Sequence, residues 1–257
     1  MPILIKKNKY YYELVFHHQT QKESNQLQNN RNYLSESNKR AYKKLIDLAY
    51  TNDWTHFLTL TLDKTKLDRY NASQINRKLK NSLHNYKKRY DPDLEYIIRA
   101  EYHKDKAIHF HGLLRLKNKS QLHFNSYMTQ KERNLKNNPH IRVFNWQYFY
   151  ERFGRTWVQP LYNQEEFVAL YITKYMNKEN DRIYYMRYMR SRGLKEPEVL
   201  GELQDIDYFP YEFEDEYQSQ FAHSFKMTKE QLELFLNNNA HLMEGEQYQN
   251  IMKGVSI

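Results

Sequence analysis

Apolar positions along the chain follow two periods. From His56 to Asp63, Leu58, Leu60 and Leu62 alternate with Phe57, Thr59 and Thr61, which predicts a half-buried strand. "SQINRKLKNSLHNYKKRY" repeats near 3.6 residues, predicting a helix ended by Asp91-Pro92. "LEYIIRAEYH" and "AIHFHGLLRL" alternate again across "KDK" and predict a hairpin. Upstream, "YYELVFHH" reads as a short strand, and "QTQKESNQLQNNRNYLSESN" reads as a loop or weakly ordered arm. Ser37 or Asn38 is placed to cap a helix through "KRAYKKLIDLAY". "GRTWVQPL" is a further strand. Asn163 and Glu166 form a capping box for a helix carrying "YITKYMNK". Beyond Gly201 one helix stands out, "TKEQLELFLNN", in a segment read as a subdomain or flap.

Charge sharpens this outline. The net charge is +9, but residues 201–257 hold three lysines against eleven acids, a balance of −8, which leaves +17 on residues 1–200. That excess attracts a polyanion, and tyrosines interleave with it, as in "YYMRYMRSR". Basic groups for phosphates and aromatic faces for bases suit single-stranded nucleic acid. There is no cysteine, which excludes disulfides, thiolate zinc sites and cysteine nucleophiles. Any metal must rest on histidine and carboxylate. No apolar run reaches the roughly 18 residues of a membrane helix, and the N-terminus lacks a signal-peptide pattern, so a cytoplasmic protein without a membrane is expected.

Two segments carry candidate chemistry. In the hairpin, Arg99, Glu101 and His103 share one strand face, and His109, His111, Leu113 and Arg115 share one face of the other. Glu101 then sits opposite His109 with His111 one step along, a set able to bind a divalent metal. His103 falls on the same face near the tip, as a supporting or phosphate contact, while His17 and His18 read as surface. In "YITKYMNK", Tyr171, Lys174, Tyr175 and Lys178 share about 100° of a helix, beside an apolar arc of Val168, Ala169, Ile172 and Met176.

In this order the motifs resemble the HUH endonucleases, named for a histidine–hydrophobic–histidine pair, and among them the rolling-circle replication initiators. "FLTLT" (Phe57 to Thr61) is similar to their first motif, "HFH" (His109 to His111) to the second, and "YITKYMNK" to the third in its two-tyrosine form. Glu101, eight residues before His109, matches the third ligand of geminivirus-type initiators, and "SRGLKEP" resembles a segment after the tyrosine motif in bacterial phage and plasmid relatives. The likeness spans about residues 40–200.

This resemblance implies an α+β fold with a central antiparallel sheet and flanking helices. The expected domains are 1–38 (strand and polar arm), 39–200 (nuclease) and 201–257 (acidic extension), the two flanks lying outside the likeness. Glu101, His109 and His111 would hold Mn²⁺ or Mg²⁺, which polarises a scissile phosphate. Tyr171 or Tyr175 would attack single-stranded DNA at an origin bearing a hairpin or inverted repeat, leaving a 5′-phosphotyrosine link. Lys174 and Lys178 would favour the phenolate, which is about one part in a thousand for a tyrosine of pKa about 10. No G-x-x-x-x-G-K-[ST] loop is present, so a host helicase is the expected partner. An HUH-type transposase and a non-catalytic single-strand binder are the alternatives. The "YEFEDEY" segment (Tyr211 to Tyr217) is expected to fold toward a basic cleft or dock a partner.

Overall fold

The computed structural model describes residues 2–17, 29–103, 105–124, 143–161, 188–209, 215–218 and 222–256. Along the chain these form β1 (Ile3–Lys7), β2 (Tyr12–His17), α1 (Asn29–Thr51), β3 (His56–Leu62), α2 (Ala72–Arg89), β4 (Glu95–Tyr102) and β5 (Ile108–Arg115). There follow β6 (Leu122–Phe124), β7 (Phe144–Trp146), α3 (Gln147–Phe153), β8 (Gly154–Pro160), β9 (Met189–Arg190), β10 (Glu198–Leu203), β11 (Asp215–Gln218), β12 (Ala222–Met227), α4 (Lys229–Asn238) and α5 (Gly245–Ser256). The class is α+β, with two antiparallel sheets rather than one. Among the described residues no helix is long and apolar enough to cross a membrane.

The chain forms two compact units, Asp53–Leu194 and, from both flanks, Met1–Asn52 with Lys195–Ile257. The inner unit is a seven-stranded sheet ordered β6-β7-β8-β3-β5-β4-β9. Leu58, Leu60 and Leu62 of β3, Ile108, Phe110 and Leu114 of β5, and Ile98 of β4 turn to one face. The helix α2 covers that face, because Ile75, Leu79, Leu83 and Tyr86 recur at helical spacing and bury together. Asn71 caps it by accepting from the Gln74 amide, and Lys87, Lys88 and Arg89 complement its C-terminal dipole. A side chain at Gly112 would place Cβ 2.7 Å from the Ile97 carbonyl, so glycine lets β5 lie tightly against β4 just past the histidines.

The flanking unit is a five-stranded sheet ordered β10-β1-β2-β12-β11, so strands from the C-terminal part of the chain flank the N-terminal pair on both edges. Ile3, Ile5 and Leu14 pack there against Leu232, Phe235 and Leu236 of α4 and against Ile251 and Val255 of α5. Thr228 and Gln231 make the capping box of α4. The acidic C-terminal segment contains strands β10 to β12 as well as the anticipated helix α4 and a second helix, α5. Ser37 and Asn38, read as caps, lie within α1. The first glycine is Gly112, and no proline separates Pro2 from Pro92, so nothing stops the helix anchored by Leu45, Ile46 and Leu48 from propagating backward.

Candidate metal centre

The hairpin of β4 and β5 takes the register that alternation implies. Glu101 pairs with His109 and Arg99 with His111. The connection is tight: His103 N donates to Ala107 O at 2.7 Å, and Lys106, at φ 65°, donates to His103 O at 2.9 Å. Because β5 is flanked by β3 on its other side, polar rows run across the sheet. One row holds Arg155, Thr61, His109 and Glu101, and the next Trp157, Thr59, His111 and Arg99. This is the face opposite α2.

Glu101, His109 and His111 come together there, with one ligand atom of each lying within 4.8 Å of the others. Glu101 Oε2 stands 3.4 Å from His109 Nε2 and 3.3 Å from His111 Nε2, with the three side chains 11%, 16% and 8% exposed. Those separations are long for hydrogen bonds. They are close to the roughly 3 Å between adjacent ligands of a cation bound at about 2.1 Å. One carboxylate and two imidazoles also make a suitable donor set for a first-row divalent ion. The cluster can hold a metal ion.

Neighbours fix the histidines. Thr59 Oγ1 lies 3.0 Å from His111 Nδ1, so a hydroxyl engages one ring nitrogen and leaves the other facing Glu101. The Phe57 ring stacks on His111 at 5.9 Å, and the two histidine rings meet edge to face at 4.7 Å. Alternation places Thr59 on this face, but only the pairing of β3 with β5 reveals its contact. His103 is outside the cluster, mostly exposed, with Nδ1 3.6 Å from Asp105. His17 is exposed, as expected.

A fifth histidine has the opposite character. His56, on the α2 side of β3, is 2% exposed and within 2.7 Å of the Thr55 hydroxyl. Burial, with help from Lys119, lowers its pKa to about 4, so it is a neutral core residue.

Residues 55–180 match the family model of the replication-associated protein ORF2/G2P. That span is just under half of the chain and contains the metal cluster. No curated protein and no solved structure matches the chain. The family match supports a rolling-circle replication protein, and the cluster is compatible with metal binding. Tyr171, Lys174, Tyr175 and Lys178 fall inside the matched span but outside the described residues, as do Asn163 and Glu166. Tyr211 to Glu214 also lie outside the described residues.

Proposed function

We propose that the protein is a replication initiator that nicks and rejoins single-stranded DNA at an origin through a covalent tyrosine link. The carrying observation is the convergence of Glu101, His109 and His111 inside the segment matching a replication-associated family. These three residues would hold Mn²⁺ or Mg²⁺, which supplies charge stabilisation at the scissile phosphate. Tyr171 or Tyr175 attacks phosphorus; the new bond is O(Tyr)–P, the bond that breaks is P–O3′, and the phenol proton ends on the departing 3′-hydroxyl. One phosphodiester replaces another, so the step reverses without ATP. Lys174 and Lys178, three residues beyond each tyrosine, stabilise the phenolate and the charge that develops on transfer. On a helix, two tyrosines at i and i+4 would share a face, and one would then hold the 5′ end while the other attacks a regenerated junction. A host helicase would open the duplex, and the origin would carry a hairpin or inverted repeat.

The test is a denaturing gel for a protein–DNA adduct formed on single-stranded origin DNA with Mn²⁺. Tyr171→Phe and Tyr175→Phe should each retain some adduct, and the double variant none. An adduct from the double variant would place the nucleophile elsewhere. Tight binding without any adduct would favour a non-catalytic binder.

A further inference from the structure

One side of α2 packs on the inner sheet, and the other carries a stripe of positive charge. Ser73, Arg77, Lys80, Asn81, His84 and Lys88 fall within about 100° of the helix surface, and all six are exposed. Six of the helix's 18 residues are lysine or arginine, and none is a carboxylate. From Arg77 to Lys88 the stripe runs about 16 Å, at 1.5 Å per residue.

Some of this charge serves the fold. Lys78 Nζ donates to the Arg152 carbonyl at 2.8 Å, and Lys87 Nζ donates to the Leu94 carbonyl at 3.2 Å. Lys88 lies in the last turn, where the dipole favours it. Arg77 and Lys80 are too far from that end to benefit, and at a separation of three residues they repel each other. Among the described residues, Arg77, Lys80 and Lys88 have no hydrogen-bond or ion-pair partner. Helix stability does not account for the stripe, whereas an anionic partner would neutralise it.

The side chains on the stripe select that partner. Tyrosine, phenylalanine and tryptophan are absent from it, so it offers little to the unpaired bases of a single strand. Paired DNA hides its bases and presents one negative charge per about 1.7 Å of axis, or roughly nine charges along 16 Å. Arginine and lysine hold those phosphates, and short side chains such as Ser73 and Asn81 donate to them as well. The sheet lies between this stripe and Glu101, His109 and His111, so occupying one surface leaves the other open.

We propose that the outer face of α2 binds the backbone of paired DNA, with Arg77, Lys80 and Lys88 on phosphates. The proposal rests on the reading that the protein acts on DNA, and it adds a duplex-holding surface on the side away from the metal cluster.

The experiment compares binding of a hairpin stem and of oligo-dT by the full chain in EDTA over a salt series. The test variant is Arg77→Gln/Lys80→Gln/Lys88→Gln, in which glutamine keeps good helix propensity. Stem binding should weaken more than about tenfold at low salt, and its log–log salt slope should fall by about 2.7, at roughly 0.9 per phosphate contact. Oligo-dT binding should change less than about twofold, since its contacts lie elsewhere. The control Lys195→Gln/Lys229→Gln/Lys253→Gln removes equal charge from exposed positions of the flanking unit and should leave stem binding nearly unchanged. Unaltered stem affinity and slope in the α2 variant would overturn the proposal, as would an equal loss in the control. An equal loss on oligo-dT would instead make the stripe a single-strand track. Displacement of the stem by polyglutamate at equal charge would make it a surface for an acidic protein, and either result overturns the proposal. A wild type that binds neither DNA would overturn the replication reading itself, whereas an unaltered α2 variant removes this surface alone.

Discussion

Each unit buries carboxylates, and what it places beside them differs. In the flanking unit Glu13 and Asp47 share the Lys43 ammonium, which lies 2.8 Å from Glu13 Oε2 and also bonds Asp47. Ser224 donates a further hydrogen bond to Glu13. Burial lowers the affinity of Lys43 for its proton, but Glu13 and Asp47 more than offset this and raise it. Burial also raises Asp47. This cluster carries its own cation. In the inner unit Glu101 faces two imidazoles, each of which, when neutral, offers a lone pair on one ring nitrogen. With those lone pairs turned to Glu101, the three groups make a donor set that can hold a metal ion. A buried carboxylate is therefore diagnostic through its neighbours: a lysine completes a structural network, and imidazoles leave room for chemistry.

The largest test of that contrast is His111→Ala. It should cut Mn²⁺-dependent nicking by more than about a hundredfold while single-strand affinity stays nearly intact. In the wild type, Mn²⁺ at about a hundred times its dissociation constant should add about 2.7 kcal/mol of stability, and the variant should lose this gain. An undiminished melting shift with Mn²⁺ would mean the ion binds elsewhere. Next comes Lys43→Met, which leaves two carboxylates without their partner and should cost about 3–5 kcal/mol in denaturant unfolding, with or without Mn²⁺. A loss below about 1 kcal/mol would erase the distinction drawn between the clusters.

His56 gives the third test. Its folded-state pKa, about 4, lies below the ordinary 6.5, so the unfolded chain takes up the proton first on acidification. Its contribution is fully present above about pH 6.5 and is lost as pH falls toward 4, by an amount on the order of 3 kcal/mol. Stability measured in EDTA across that window should be flatter in His56→Gln. An equally steep profile would assign the acid sensitivity to other groups. The smallest effect concerns Thr59→Val, which removes the hydroxyl beside His111 Nδ1. Metal affinity, read by titration calorimetry, should fall about 10–100-fold, and Thr59→Ser should restore it. A Val variant that binds metal normally would make Thr59 a packing residue alone.

The metal hairpin was legible because all its information is local. Two alternating strands and a short turn place Glu101 opposite His109 wherever the hairpin lies in the sheet. Thr59 was half legible: alternation gave its face, but its partner lies 52 residues away and needs the strand order. The flanking sheet was largely hidden. Residues such as "EVLGEL" and "AHSFKM" alternate weakly, and β1 gains its partner β10 only from about 200 residues downstream. Acidic composition suggested an extension, but composition does not report strand pairing. The second half of the polar tract, residues 29–38, misled for a related reason, since Asn, Ser and Gln favour loops yet do not break a helix, and these residues lie in α1.

The interleaved order β10-β1-β2-β12-β11 also dictates a sequence of events during synthesis. Residues 53–194 are contiguous and can condense while the rest of the chain is still being made. The first strands cannot. Until residues 198–227 appear, both outer edges of the β1–β2 ribbon stay open to any other strand. A chain stopped near residue 194 would thus release an assembled inner unit attached to an adhesive N-terminal ribbon. Quality control would meet the truncated product as an aggregate rather than as a shorter folded protein.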